Sequence, residues 1–236
     1  MPPAPRPLSE LDRLQALREY HALDTGPEQA FDDIVKLASH VCGTPIAVVT
    51  LIDEERQWFK AKIGLAAQET SRDIAFCAYT ILGTDTMVVP DARADPRFVD
   101  NPFVTGDPRI RFYAGSPLTT SAGHGLGSLC VVDYQPRQLS PEQLGALQAL
   151  SRQVVTNLEL RRTAGHLAEA LERARFLSGL LPICSYCKRV RDDKNYWREV
   201  EAYVRANAAV EFSHGICPRC IAEHWPGTQV DPATPL

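Results

Sequence analysis

The sequence lacks the usual signs of a membrane or secreted protein. No window approaches the ~18 consecutive apolar residues that a transmembrane helix needs. The proline-rich segment 1–9 has no apolar signal-peptide core, and no polybasic run is present that would hold the chain on an anionic membrane. We therefore expect a cytoplasmic protein without a membrane partner.

Basic charge is also scarce. The 236 residues include 25 Lys and Arg against 29 Asp and Glu, which gives a formal net charge of −4. Within residues 184–236 the two signs balance at seven each. Proteins that bind nucleic acid usually show a strong basic excess, so the sequence predicts no nucleic-acid partner.

Several catalytic signatures are missing as well. The chain has no G-x-x-x-x-G-K phosphate loop, no H-E-x-x-H zinc motif and no kinase or cyclase signature. The segment after Trp225 is too short for a catalytic output domain. These absences predict a non-enzymatic protein that passes its signal to a partner protein or through a dimer.

The seven cysteines point to a metal site rather than to a disulfide framework. Their number is odd, whereas a secreted disulfide scaffold is shorter and evenly paired. Four of them form two C-x-x-C pairs, the donor set of a tetrahedral structural zinc: Cys184, Cys187, Cys217 and Cys220. His214 is the alternative ligand, and an iron–sulfur cluster or a redox disulfide are the other options left open.

Hydrophobic patterning predicts an α+β fold. Residues 46–52 form a nearly continuous apolar run, typical of a central strand buried on both sides. Further strands are expected over 57–63, 86–89, 111–116 and 127–133, and a short helix within 73–82. Ser140-Pro141-Glu142 is a strong helix start, and no proline interrupts residues 142–181. We expect one long helix there.

Five regions follow from this pattern. We expect an N-terminal leader with a short helix (1–22), an α+β domain (23–160), a connecting helix that also forms a dimer or coiled coil (161–181), a small four-cysteine domain (182–226) and a disordered tail (227–236). A segment of about 45 residues is too small to fold alone, so bound zinc would stabilise it.

Residues 31–162 resemble a GAF domain of the type that precedes bacterial histidine kinases and diguanylate cyclases. The resemblance rests on separate blocks: F-D-D-I-V-K-L-A (31–38), P-I-A-V-V-T-L-I-D (45–53), R-Q-W-F-K-A-K-I-G-L (56–65), E-T-S-R-D-I-A-F-C-A (69–78), V-P-D-A-R-A-D-P-R-F-V-D-N-P-F-V (89–104), I-R-F-Y-A-G-S-P-L (110–118), G-S-L-C-V-V-D (127–133) and R-Q-L-S-P-E-Q (137–143). It implies a six-stranded antiparallel sheet with helices on one face, a small-molecule pocket over the other, and a parallel homodimer through flanking helices.

The same resemblance suggests which residues line the pocket. The candidates are Trp58, Phe76, Cys77, Phe98, Phe103, Arg111 and Tyr113. A guanidinium binds a carboxylate or phosphate through two parallel hydrogen bonds, which makes Arg111 attractive. The competing interpretation is that the aromatics are core residues and that Arg111 pairs with Asp91 or Asp95.

Residues 181–204 and 212–220 resemble a short tail that follows sensor and receiver domains in bacterial signalling proteins. Each C-x-x-C pair forms a metal-binding turn, or knuckle, and the order of knuckle, insert and second knuckle is similar to a treble clef.

The leading hypothesis is a sensor whose GAF domain binds an unknown small ligand or mediates dimerisation and whose helix leads to a structural zinc unit. One alternative is a redox or metal sensor that uses the zinc thiolates. Another is a thiol enzyme similar to free methionine sulfoxide reductase, which would depend on Cys77.

Overall fold

The computed structural model describes residues 3–177, 182–192, 194–208, 210–213 and 215–226. The chain divides into two compact units, residues 1–169 and residues 170–236. His214 and the expected tail over 227–236 lie outside the described residues, as do residues 178–181 of the expected long helix.

The first unit contains a six-stranded sheet and five helices. Its elements in chain order are α1 (Glu10–Glu19), α2 (Gln29–Cys42), β1 (Ile46–Ile52), β2 (Arg56–Ile63), β3 (Glu69–Ser71), α3 (Phe76–Thr80), β4 (Met87–Val89), α4 (Pro102–Thr105), β5 (Phe112–Thr119), β6 (Gly125–Asp133) and α5 (Pro141–Leu177), the last of which runs on into the second unit.

The strands are ordered β3-β2-β1-β6-β5-β4, and every neighbouring pair is antiparallel. β1 lies at the centre and is buried at all seven positions, because both of its faces are covered. The edge strands β3 and β4 have three residues each. The predicted α+β fold with a six-stranded antiparallel sheet and a long C-terminal helix is confirmed.

Alternating side chains divide the hydrophobic interior into two clusters, one on each face of the sheet. The helix-side cluster joins the sheet to α1, α2 and α5 through residues such as Leu17, Val35 and Leu158. The second cluster, called the cavity-side cluster because a cavity opens on that face of the sheet, joins the other face to α3 and to the segment 92–104. Phe76, Phe98 and Val104 belong to it.

Buried ion pairs fasten the N-terminal helix to the domain. The Arg13 guanidinium donates to both Glu10 carboxylate oxygens at 2.8 Å. Arg72, in the 3₁₀ turn that precedes α3, donates to the same carboxylate at 2.5 Å and to the backbone oxygen of Asp53 at 2.9 Å. All three charged residues are buried, and the Glu10 carboxylate that both guanidinium groups share offsets part of the cost of burying their charges.

Within its described residues, the second unit contains the end of α5, a two-stranded ribbon and two short helices. The ribbon and the two helices are β7 (Val190–Arg191), β8 (Trp197–Arg198), α6 (Val200–Asn207) and α7 (Pro218–His224). Trp197 pairs with Arg191 in the ribbon, and α6 begins three residues later at Val200. After β7, the Asp192 carboxylate accepts from the backbone N–H of Lys194 at 3.0 Å.

Candidate functional site

A cavity of about 340 Å³ lies on the face of the sheet opposite the long helices. This volume is at the lower end of the range for small-molecule sites. Exposed residues Ala66, Ala67 and Asp107 form part of the lining, so the cavity opens to solvent on that side. Most of the remaining lining is apolar or aromatic: Val48, Phe59, Leu65, Ile74, Phe76, Phe103, Ile110, Tyr113 and Val132.

Four of the residues proposed from the sequence line this cavity together. They are Phe76 and Cys77 on α3, Phe103 on α4 and Tyr113 on β5. Phe98 does not line it, but its ring stacks on Phe76 with 4.0 Å between the centroids. Phe98 therefore supports the cavity wall from behind.

Trp58 and Arg111 lie elsewhere. Neighbouring residues of a strand face opposite sides of the sheet, so Trp58 belongs to the helix-side cluster while Gln57 and Phe59 line the cavity. Arg111 donates to Asp91 through Nε at 2.8 Å and through Nη2 at 2.5 Å. The guanidinium fork is thus occupied by Asp91, which was the competing interpretation of this residue.

Gln57 is a lining residue that sequence reasoning missed. Its side-chain amide donates through Nε2 to Thr70 Oγ1 at 3.3 Å, whereas Oε1 is buried without a hydrogen-bond partner. The residue is only 8% exposed. An unpaired buried acceptor costs about 1–3 kcal/mol, so a donor that reached it would recover that free energy. The sequence did offer one signal for Gln57: it is the strand neighbour of Trp58, so one of the two residues had to face the cavity side of the sheet.

A cluster of thiols and hydroxyls forms one wall of the cavity. Cys77 Sγ lies 3.7 Å from Cys130 Sγ on β6, and the Tyr113 hydroxyl donates to Cys77 Sγ at 3.3 Å. Thr80 Oγ1 in turn lies 2.7 Å from the Tyr113 oxygen. All four residues are buried. This is the most polar part of an otherwise apolar wall.

The cluster lowers the pKa of one thiol and raises the pKa of the other. Burial opposes ionisation of Cys77, but hydrogen bonds from Cys130, Ser128, Thr50 and Tyr113 outweigh it and lower its pKa to about 7. The hydrogen bond with Cys77 and burial raise the pKa of Cys130 well above its ordinary value. Cys77 is therefore the thiol that ionises first.

The C-terminal cysteines lie in two separate local turns. At the first pair, Lys188 N–H donates to Cys184 O at 3.0 Å, and Lys188 has a left-handed backbone (φ 61°). At the second, Cys217 is the N-cap of α7. Across the described residues, no group of three or more His, Cys, Asp or Glu side chains is placed to hold a metal ion. A zinc site is thus not shown.

The backbone nevertheless favours the thiolate of one cysteine in each turn. Amide N–H groups of Cys187 and Tyr186 lower the pKa of Cys184, and the amide N–H of Cys220 lowers the pKa of Cys217. Cys187, Cys217 and Cys220 are exposed. Their chemistry suits a soft divalent metal.

Residues 26–158 match the GAF domain family, over more than half of the chain. The chain is also 42% identical over 166 residues to a cyclic di-GMP phosphodiesterase of Pseudomonas aeruginosa. The match covers 70% of this chain but only 28% of that relative. None of the helices within the described residues is long and apolar enough to cross a membrane.

This relative overturns the expectation of a non-enzymatic protein, because it is named as an enzyme. That expectation rested on missing phosphate-loop, zinc-protease, kinase and cyclase motifs and on the short segment after Trp225. None of these observations bears on the motifs of a phosphodiesterase.

Two solved structures share the fold. The GAF domain of a phosphoenolpyruvate-protein phosphotransferase from Coxiella burnetii is 15% identical with a TM-score of 0.51, over 66% of this chain and 98% of that one. The corresponding domain from Acinetobacter is 17% identical with a TM-score of 0.50, over 66% and 96%. With the antiparallel sheet, the cavity and the family match in agreement, the chain belongs to the GAF domain family.

Proposed function

We propose that this chain is the ligand-sensing part of a cyclic di-GMP phosphodiesterase system, in which a small molecule in the sheet cavity sets the rate of cyclic di-GMP hydrolysis. The 42% identical relative named for that activity supports the cyclic di-GMP link. The cavity with its unpaired Gln57 acceptor is the observation that carries the sensing role.

The lining suggests the chemistry of the ligand. It contains no lysine, arginine or histidine, and its charged member is Asp107. Phosphate groups are usually held by cations, so the cavity suits a ligand other than cyclic di-GMP itself. We propose an uncharged, largely apolar molecule with an N–H or O–H group that donates to Gln57 Oε1.

A short path joins the cavity wall to the long helix. β5 presents Tyr113 to the cavity and, three residues later, Ser116, whose hydroxyl lies 2.9 Å from the Ser151 hydroxyl of α5. Leu147, Val154 and Leu158 of α5 are fully buried against the same sheet. A ligand that prefers one position of β5 would therefore bias the position of α5.

The test is a chimera in which the whole of this chain replaces the homologous region of the Pseudomonas aeruginosa enzyme. Ala66→Trp places a bulky ring at the exposed cavity mouth, and Ala94→Trp is the matched control at an exposed alanine outside the lining. We expect cyclic di-GMP hydrolysis to change at least about fivefold with the first substitution alone, the lower limit of ordinary allosteric coupling. Equal rates in all three chimeras would contradict the proposal.

We also propose that Cys184, Cys187, Cys217 and Cys220 bind one structural zinc ion. Two C-x-x-C pairs, each with backbone N–H groups directed at a sulfur, support this. Metal analysis of the chain purified without chelator should give one zinc per chain. Cys184→Ser should abolish that stoichiometry while Cys42→Ser, a substitution in the first unit, retains it. Iron, or no metal, would refute the assignment.

A parallel homodimer through α5 is the third part of the proposal. Leu160 and Leu167 are 67% and 69% exposed, and their separation of seven residues is one heptad. Light scattering should give a dimer for the native chain and a monomer for the Leu160→Glu, Leu167→Glu variant. Leu37→Glu, at an exposed leucine of α2, is the control and should leave the mass unchanged.

A further inference from the structure

Two free thiols from distant parts of the chain meet on the cavity wall. Cys77 lies on the short helix α3, and Cys130 lies on β6 opposite Val48 and Gly115 of the neighbouring strands. Their sulfur atoms are 3.7 Å apart, close to van der Waals contact. A disulfide has about 2.05 Å between its sulfurs, so the two atoms would have to approach each other further for a bond to form.

The surroundings of the pair differ from those of an inert core cysteine. Buried free cysteines in apolar surroundings are usually unreactive. Here the Tyr113 hydroxyl donates to Cys77 Sγ, and Thr50 and Ser128 place two further hydroxyls beside it. Cys42 is the internal contrast, because burial alone raises the pKa of its thiol.

The cavity gives small reagents access to this pair. Both cysteines line it, and the same lining includes Ala66 and Ala67, which are exposed to solvent. The cysteines themselves are only 2% and 3% exposed, so large reagents are excluded. A molecule of the size of hydrogen peroxide fits easily within about 340 Å³.

We propose that Cys77 and Cys130 form a peroxide-reactive thiol site, in which a small hydroperoxide entering the cavity converts the pair to a disulfide. The site goes beyond the proposed ligand sensing and does not depend on the link to cyclic di-GMP. Oxidation would draw α3 towards β6 and change the cavity wall at Phe76 and Tyr113.

The reaction is a two-electron oxidation of two thiols. The Cys77 thiolate attacks one oxygen of the hydroperoxide; an S–O bond forms, the O–O bond breaks, and the released alkoxide or hydroxide takes up the proton that Cys77 lost. Cys130 Sγ then attacks the sulfenic acid; the S–S bond forms, the S–O bond breaks, and hydroxide leaves as water with the Cys130 proton. Two thiols and ROOH give one disulfide, ROH and water.

Peptide mapping of the full chain tests the proposal directly. Tryptic peptides 73–93 and 112–137 each contain one cysteine of the pair. After treatment with hydrogen peroxide in excess over all seven thiols, followed by alkylation, we expect these peptides to appear joined and to separate on reduction. The Cys42→Ser variant should behave as the native chain, and Ala66→Trp should slow the reaction if the cavity is the route.

Single-cysteine variants assign the two roles. In Cys130→Ser, a dimedone adduct should form at Cys77 at least about tenfold faster than at Cys42, because thiolate is the reacting species. In Cys77→Ser, no adduct should form at Cys130. Circular dichroism of each variant checks the fold. Absence of the joined peptide in the folded native chain, or equal labelling of Cys42 and Cys77, would overturn this site without affecting the cyclic di-GMP proposal.

Discussion

Replacing Glu10 by glutamine should destabilise the protein at neutral pH and have little effect in acid. Burial by itself raises the pKa of the Glu10 carboxyl, but the hydrogen bonds from Arg13 and Arg72 outweigh it and lower the pKa to about 2, against an ordinary value of 4.5. A difference of this size corresponds to about 3 kcal/mol of the free energy of unfolding.

The direction with pH follows from the lowered pKa. The ionised carboxylate stabilises the folded state fully above pH 4.5, and this contribution is lost as the pH falls through the folded-state pKa of about 2. Glutamine resembles the protonated acid. The difference between native chain and Glu10→Gln should therefore be about 3 kcal/mol at pH 7 and approach zero near pH 2.

Urea unfolding at pH 7, 5, 4 and 3, followed by circular dichroism, measures this difference. Glu19→Gln is the matched control on the same helix, because Glu19 pairs with Arg162 at 3.8 Å at the surface. Its effect should stay below about 0.5 kcal/mol at every pH. A Glu10→Gln difference that does not change between pH 7 and pH 3 would refute the electrostatic reasoning.

Three further predictions follow from buried contacts. Gly127→Ala should reduce the free energy of unfolding by more than about 2 kcal/mol in urea titrations, because an added Cβ would lie 1.9 Å from Thr50 O. Gly145→Ala is the control: a Cβ there has nothing within 4 Å, so the substitution should raise the free energy of unfolding by up to about 1 kcal/mol. Lys60→Met should cost about 3 kcal/mol by the same assay, because the buried ammonium is bound by Thr25 Oγ1, Gly26 O and the Glu28 carboxylate. Gln57→Met should raise the thermal midpoint by removing an unpaired acceptor and should abolish the ligand response in the hydrolysis assay; a lower midpoint would mean that the acceptor is satisfied.

The sequence predicted best those elements whose burial is uniform or regular. The apolar run at 46–52 matches β1 because both of its faces are covered. The Ser140 start is also confirmed: Gln143 N–H donates to Ser140 Oγ at 3.3 Å, and Ser140 N–H donates to Gln143 Oε1 at 3.0 Å. In these cases a local pattern is sufficient.

Elements held by long-range backbone pairing were harder to predict. β3 was missed because its three residues are polar and mostly exposed, and only hydrogen bonds to β2 define it. A strand of this kind has no hydrophobic period. The short helix expected within 73–82 is present as α3 (Phe76–Thr80), and a 3₁₀ turn that ends at Ile74 precedes it.

The site depended on register, which a single sequence does not give. A bulge between Val49 and Thr50 adjusts the pairing of β1 and β2, which places Gln57 rather than Trp58 at the cavity. The contact of Cys77 with Cys130 joins residues 53 positions apart. Cys130 lies in an apolar run, so its sequence context alone indicated an inert core thiol.

The burial of β1 also fixes how the domain opens. Every β1 residue is covered, and the strand is hydrogen-bonded to β2 on one side and β6 on the other. The amides that donate to β2 and those that donate to β6 are exposed together only when both pairings separate, so deuterium exchange of the whole strand should report global unfolding. β1 then provides an internal reference: any faster exchange in α3 or β5 measures local opening of the cavity wall, residue by residue, in the same sample.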